Sequence, residues 1–139
     1  EKRANNPLFP ATPGQRAVAR ALENYGDEGV LSKFLPMIWM PWWSPEDQRD
    51  AQAMERGRQG LREKVFPFLQ QTLSGQDYLC DDFSLADVPM MTVAMVLEGD
   101  GMDISSFLEV ADYLQRLRQR DSYLAISPQE RMAETAGSE

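Results

Sequence analysis

This sequence predicts an all-α fold, a helical bundle, on three observations. Five segments open with Ser or Thr three residues ahead of Glu, Gln or Asp, apolar residues between these starts recur at three- and four-residue intervals, and no segment alternates with period two. The first pattern marks helix starts, where a hydroxyl accepts from a free backbone N–H and the second side chain reaches back to the cap residue. The second marks amphipathic helices, and the lack of alternation removes the usual sign of half-buried strands.

Taken in order, "EKRANNPLFPA" (1–11) has two prolines and no helical period, and reads as an extended linker. The helical bundle is expected over 12–126, opening at "TPGQ" (12–15) with Pro13 at the first helical position, where its missing donor costs nothing. Val18, Leu22 and Tyr25 share a face of this first helix, and Gly26 and Gly29 break or bend it before the pattern resumes at Leu31, Phe34, Leu35 and Ile38. "SPED" (44–47) predicts the second start, with a stripe of Met54, Leu61, Val65, Phe68, Leu69 and Leu73 that ends at Ser74 and the C-cap Gly75. "SLAD" (84–87) predicts the third, stapled by Phe83 against Val88 and closed by Gly99. Pro89, just inside it, predicts a small bend, read either as tolerated strain or as the edge of a ligand pocket. "SFLE" (106–109) predicts the fourth, with Phe107, Val110, Ala111, Leu114 and Leu117 as its stripe. "SPQE" (127–130) predicts a last short helix before a polar tail ending at 139. "GDGMD" (99–103) sets carboxylates beside glycines without the spacing of a calcium loop, so it reads as a helix connection.

Composition narrows the function classes. A chain of 139 residues suits one domain, and 42% hydrophobic with 26% charged residues suits a folded one. A net charge of −8 speaks against a phosphate-backbone binder, so nucleic acid is not an expected partner. Cys80 is the single cysteine, which rules out an internal disulfide and makes a reducing cytoplasm the default location. No basic residue neighbours it in sequence, so an inert thiol is expected. The longest apolar run, "FLPMIWMPWW" (34–43), is too short to span a bilayer, and a soluble chain with no membrane partner is expected. Histidine is absent, which removes Ser-His and Cys-His nucleophile activation and most catalytic zinc sites; no metal is expected.

Ser84 and Asp87 invite a catalytic reading. At a helix start, however, both side chains turn back to the backbone, and a carboxylate alone is a weak base for serine. They are therefore expected to form a structural capping box, and no catalytic residue is assigned. The run at 34–43 leaves three readings open: core, an apolar ligand pocket, or a partner surface. Gly57 and Gly60 lie one turn apart, each costing roughly 1 kcal/mol against alanine in a helix. Close approach of another helix would offset that, either within the domain or across a dimer interface.

"YLCDDFSLADV" (78–88) resembles the capping-box segment of the C-terminal helical domain of the glutathione S-transferase family. "PLFPATPGQRAVARALENYGDEG" resembles the linker and first helix of that domain, with Pro13, Arg16, Ala17 and Tyr25 at recurrent positions, and "FLEVADYLQRLRQRDSYLA" resembles its closing helix and the turn after it. The likeness covers about residues 7–126. Asp81 departs from the family's usual Gly, and Leu108 and Asp121 stand where Pro is common.

In this family a thioredoxin-like domain precedes the helical one, binds glutathione and supplies the residue that activates its thiol. The sequence opens at the linker, without an initiator methionine, so two alternatives stand: a piece of a longer protein, or a free-standing helical module. The resemblance implies that the chain alone does not conjugate glutathione and holds no cofactor, glutathione entering only with a thioredoxin-like domain. It implies further that Arg16, Arg20, Tyr25, Phe34, Met37, Ile38 and Trp42 line the site for a hydrophobic small molecule, and that Arg20 or Asn24 approaches a second subunit in a homodimer. The alternatives are a free-standing module for a protein partner and an independent apolar-ligand binder.

Overall fold

The structure, a computed structural model, describes residues 8–126 apart from the side chain of Trp42. The first part of the linker, the expected start at 127–130 and the tail lie outside the described residues. Within them the regular structure is all helical, with no strand; Tyr78 and Asp81 form one isolated bridge.

Thr12 opens the first helix. Its hydroxyl accepts from the Gln15 N–H at 3.2 Å while Gln15 Oε1 faces the Thr12 N–H at 3.4 Å, and α1 runs Pro13–Asn24. At Tyr25 the helix widens and does not break: Tyr25–Leu31 is a π-helical stretch, closed by a 2.8 Å bond from the Ser32 N–H to the Asp27 carbonyl. Gly26 shows why glycine is needed there, since a Cβ would lie 2.7 Å from Pro89 Cβ. Ala19, not Val18, is the buried residue of α1; Val18 is 55% exposed.

Leu35–Trp39 forms α2, followed by a 3₁₀ turn at Met40–Trp43. The second long helix does not begin at Ser44. Glu46–Gln48 makes only a 3₁₀ turn, the backbone extends again at Arg49, and α3 (Ala51–Gly60) starts after Asp50, whose carboxylate accepts from the Ala53 N–H at 2.9 Å. The Asp50 carboxylate caps the run Ala51–Arg56, which favours helix more strongly than the residues behind Ser44. α3 continues through a π-helical stretch, Leu61–Val65, into α4 (Phe66–Thr72). Pro67 accounts for the widening, because its ring would otherwise press on the carbonyl four residues back. The extra residue shifts the helical phase: Phe66 turns inward and Phe68, expected in the stripe, is exposed. Gly75 (φ 79°) then turns the chain away.

The central helix, α5 (Val88–Asp100), follows a 3₁₀ turn at Leu85–Asp87 and buries Pro89, Met90, Met91, Val93, Ala94, Val96 and Leu97. Pro89 sits in its first turn, where no N–H is required, with its ring against Gly26. The helix passes through Gly99 and closes at Gly101, which takes the left-handed conformation (φ 70°) and donates to the Leu97 carbonyl at 3.0 Å. Leu108–Arg118 forms α6 and Asp121–Leu124 forms α7. Ser106 does not cap α6. Gln70 of α4 does so from across the bundle, its Oε1 accepting from the N–H groups of Glu109 (3.1 Å) and Val110 (3.3 Å).

Helix α5 is flanked by the Tyr25–Leu31 stretch, α2 and α6, while α4 packs on α6 and α2 on α3. The close approach at Gly57 and Gly60 is internal to the domain. A Cβ on Gly57 would lie 2.9 Å from Met37 Cβ, and one on Gly60 would enter the Phe34 ring. Arg58 of α3 grips Asp100 at the end of α5 through two bonds of 2.9 and 2.7 Å, with the carboxylate side chain 2% exposed.

Candidate functional site: a groove walled by a tethered loop

Residues 76–84 form the loop that leads into α5, and Asp87 holds it in place. Its Oδ1 accepts from the Leu79 N–H (3.0 Å) and the Tyr113 hydroxyl (2.8 Å), and its Oδ2 from the Ser84 N–H (2.8 Å). The Ser84 hydroxyl accepts from the Ala86 N–H at 3.3 Å. Burial pushes the Asp87 carboxyl above the usual carboxylate range, against the pull of those donors, and drives the Tyr113 phenol far up, with the neighbouring carboxylate adding to the effect. Tyr113 was absent from the predicted stripe although it stands three residues from Val110 and four from Leu117, on the same face; that spacing was the available signal.

The expected Phe83–Val88 staple is replaced. Val88 is 41% exposed, and the Phe83 ring lies 3.5 Å beneath the Arg120 guanidinium and edge-on to Tyr78 at 5.6 Å. The cause is the 3₁₀ turn, which rotates Val88 off the side that Phe83 occupies.

The outer side of this loop and α1 enclose an open apolar groove of about 530 Å³, with Val18 and Leu22 facing Thr72, Leu79 and Cys80. A second hollow of about 280 Å³ shares Gln15, Cys80 and Asp81 with it and extends to Phe9, Pro10 and Phe83. The Leu8 carbonyl accepts from the Leu85 N–H at 2.9 Å, so the linker enters beside this hollow. Burial raises the Cys80 thiol pKa; a Ser84 hydrogen bond opposes this and the Asp87 and Asp81 charges reinforce it. The thiol is thus protonated at neutral pH and a poor nucleophile.

The expected site residues separate. Arg16 donates to the Pro10 (3.2 Å) and Ala11 (2.7 Å) carbonyls, and the exposed Arg20 lies over the Phe9 ring at 5.9 Å, so both meet at the linker. Tyr25 packs against Phe68 with the rings tilted by 50° and 4.5 Å between centroids, and burial raises its hydroxyl pKa. Phe34 and Ile38 are core residues, Met37 is exposed beside Gly57, and the Trp42 side chain lies outside the described residues. The groove residues Val18, Leu22, Leu79 and Cys80 were not picked out as a site, because the loop that opposes α1 lies some sixty residues on in the chain. Among the described residues no group of three His, Cys, Asp or Glu could hold a metal, and no helix is long and apolar enough to cross a membrane.

The family model for the glutathione S-transferase C-terminal domain matches residues 30–121. The chain belongs to that family. Solved structures share the fold: the theta class glutathione S-transferase of Xanthomonas axonopodis pv. citri in apo form superposes at TM-score 0.74 with 20% identity, over 86% of this chain and 64% of that one. BmGSTD1 of Bombyx mori gives 0.64 at 20%, over 84% and 51%. FzlA from C. crescentus gives 0.68 at 25%, over 86% and 57%. The chain thus spans between about half and two thirds of the length of these proteins. As a glutathione S-transferase C-terminal domain, it explains its own departures from the family pattern. Asp81 occupies φ 65°, the left-handed region that the family's glycine suits, and it is the non-glycine residue found there among those described. Leu108 and Asp121 are the first residues of α6 and α7, positions that accept proline or any other residue.

Proposed function

We propose that this chain is the hydrophobic-substrate-site and dimerisation domain of a glutathione S-transferase-like protein, cytoplasmic and without catalytic activity by itself. The observation that carries this reading is the apolar groove of α1. Val18 presents an exposed valine over an apolar floor, next to the hollow where the linker enters. Such a surface suits a second domain set ahead of the helical one. Glutathione would then be bound by that thioredoxin-like domain. The residues of this chain available to an apolar electrophile are Arg16, Arg20, Tyr25 and Met37, while Arg20 and Asn24 are available to a second subunit. The lack of histidine and the raised pKa of the Cys80 thiol leave the chain without an imidazole base or a ready thiolate of its own.

The test is glutathione conjugation to 1-chloro-2,4-dinitrobenzene, comparing the chain alone with a protein that carries it behind a thioredoxin-like domain. The two-domain form should conjugate and the chain alone should not. Tyr25→Ala and Arg20→Ala should raise KM for the electrophile several-fold and leave KM for glutathione unchanged. Conjugation by the isolated chain, or electrophile kinetics untouched by both substitutions, would overturn the proposal. A second reading, a protein-interaction module on the same scaffold, is favoured by one observation: Trp43 is 81% exposed.

A further inference from the structure

The groove of α1 and the smaller hollow beside it leave unexplained an apolar row on α2 and the turn that follows it. Met37, Met40 and Trp43 follow one another at three-residue spacing where α2 passes into its 3₁₀ turn, a spacing that stacks side chains along one face. All three are exposed, Met40 at 57%, while Ile38 beside them is fully buried and Phe34 packs on Gly60. The backbone of the row is therefore pinned to the core while its side chains face solvent.

The charges around the row have one sign available. Glu46 and Asp47, three and four residues past Trp43, are exposed and take part in no ion pair among the described residues. The two nearby cations are engaged within the molecule: Arg49 donates its Nε to the Ser44 carbonyl at 3.1 Å, and the Lys33 ammonium sits 5.5 Å from the centre of the Phe34 ring. A second copy of the chain would bring a like-charged rim against this one across a two-fold axis, and an anionic lipid surface would be repelled by it.

We propose that the Met37–Met40–Trp43 row with its Glu46/Asp47 rim docks a protein segment that carries Lys or Arg beside large apolar side chains. Methionines adapt to varied apolar shapes and the indole supplies the anchor, while the carboxylates set the sign of the partner. The docking surface shares Met37 with the substrate-site reading, but the residues changed to test it, Met40, Trp43, Glu46 and Asp47, belong neither to the groove of α1 nor to the linker.

The test uses the full chain and two labelled fourteen-residue amphipathic peptides, one of Leu and Lys and one of Leu and Glu, followed by fluorescence anisotropy. The Leu/Lys peptide should bind, more weakly as salt is raised. Trp43→Ala and Met40→Ala should each weaken it roughly tenfold or more, as loss of an interface anchor does. Glu46→Lys with Asp47→Lys should reverse the preference towards the Leu/Glu peptide, whereas Asp27→Lys with Glu28→Lys, on the Tyr25–Leu31 stretch, should leave it unchanged. Circular dichroism melts confirm that these exposed substitutions keep the fold. Equal binding of both peptides, indifference to Trp43→Ala, or equal weakening by the two charge reversals would overturn the proposal. So would sedimentation showing that Trp43 mediates self-association, or uptake by phosphatidylcholine vesicles in place of the peptide. Loss of glutathione conjugation in the two-domain protein would bear on the substrate-site reading alone.

Discussion

Asp87 carries more of the local order than any other polar side chain described. Four donors converge on a fully buried carboxylate, the Leu79 and Ser84 N–H groups and the Ser84 and Tyr113 hydroxyls, so removing it strands them together. Asp87→Ala is expected to cost about 3 kcal/mol or more and Tyr113→Phe only about 1 kcal/mol, since the latter leaves the carboxylate its two backbone donors. Urea unfolding of the two variants checks the order; equal losses would mean that Asp87 does not gather the loop. Asp81 poses the opposite case, an L-residue held at φ 65°. Asp81→Gly should raise stability by roughly 1 kcal/mol, read from the same denaturation midpoints. The pairing of Ser84 with Asp87 was legible because both partners lie within one turn of chain. Tyr113 was not, because a hydroxyl 26 residues away reaches Asp87 only once α6 has packed.

Helix starts divide by where their caps come from. Thr12 and Ser84 cap from within the local sequence, and their positions could be read directly. The expected starts at Ser44 and Ser106 moved by several residues, the first to a better cap at Asp50 and the second to an acceptor on another helix. Gln70→Ala should therefore fray the beginning of α6 and cost about 1 kcal/mol, the usual loss on deleting a helix cap. Hydrogen exchange provides the measurement: protection of the Glu109 and Val110 amides should fall, while Ser106→Ala leaves them unchanged. Unaltered protection in Gln70→Ala would show that these N–H groups find other acceptors. The widened turn at Leu61–Val65 explains why the second apolar stripe is right in kind and wrong at Phe68, whereas Val18, upstream of both widened turns, is exposed because it lines the groove. One extra residue per turn rotates every later position, and a periodicity argument that assumes 3.6 cannot see it.

Across the whole molecule the ends of the long helices are pinned by contacts distant in sequence. Arg58→Ala would leave the Asp100 carboxylate buried and unpaired, at an expected cost of about 2 kcal/mol given the partial exposure of the guanidinium. Replacing both partners should cost clearly less than the sum of the single changes, and a double-mutant cycle measures the difference. Alkaline pH probes the bundle as a unit. Burial, with the bond to Glu98 adding to it and Arg118 opposing it, pushes the Tyr123 phenol up to about 12, and Tyr113 stands higher still. Both pKa values are raised over the ordinary value near 10, so their contribution to stability is complete below about pH 10 and is lost as pH rises through 12. An ultraviolet titration should show at least two of the four tyrosines ionising only as the circular dichroism signal of the helices disappears. Full ionisation of all four in a folded chain would contradict the buried placement of Tyr113.

By itself the sequence determined the helical class, the cap at Thr12, the Ser84–Asp87 pair and the family likeness, because each rests on residues within a turn or two of one another. Tertiary structure alone decided which helix faces are buried, that Gly57 and Gly60 serve α2 and not a second subunit, and that Phe34 and Ile38 belong to the core while Trp43 faces water. Those outcomes depend on how far a widened turn rotates the helix after it and on which distant backbone comes within 3 Å of a missing Cβ. Neither quantity is written in any short stretch of chain.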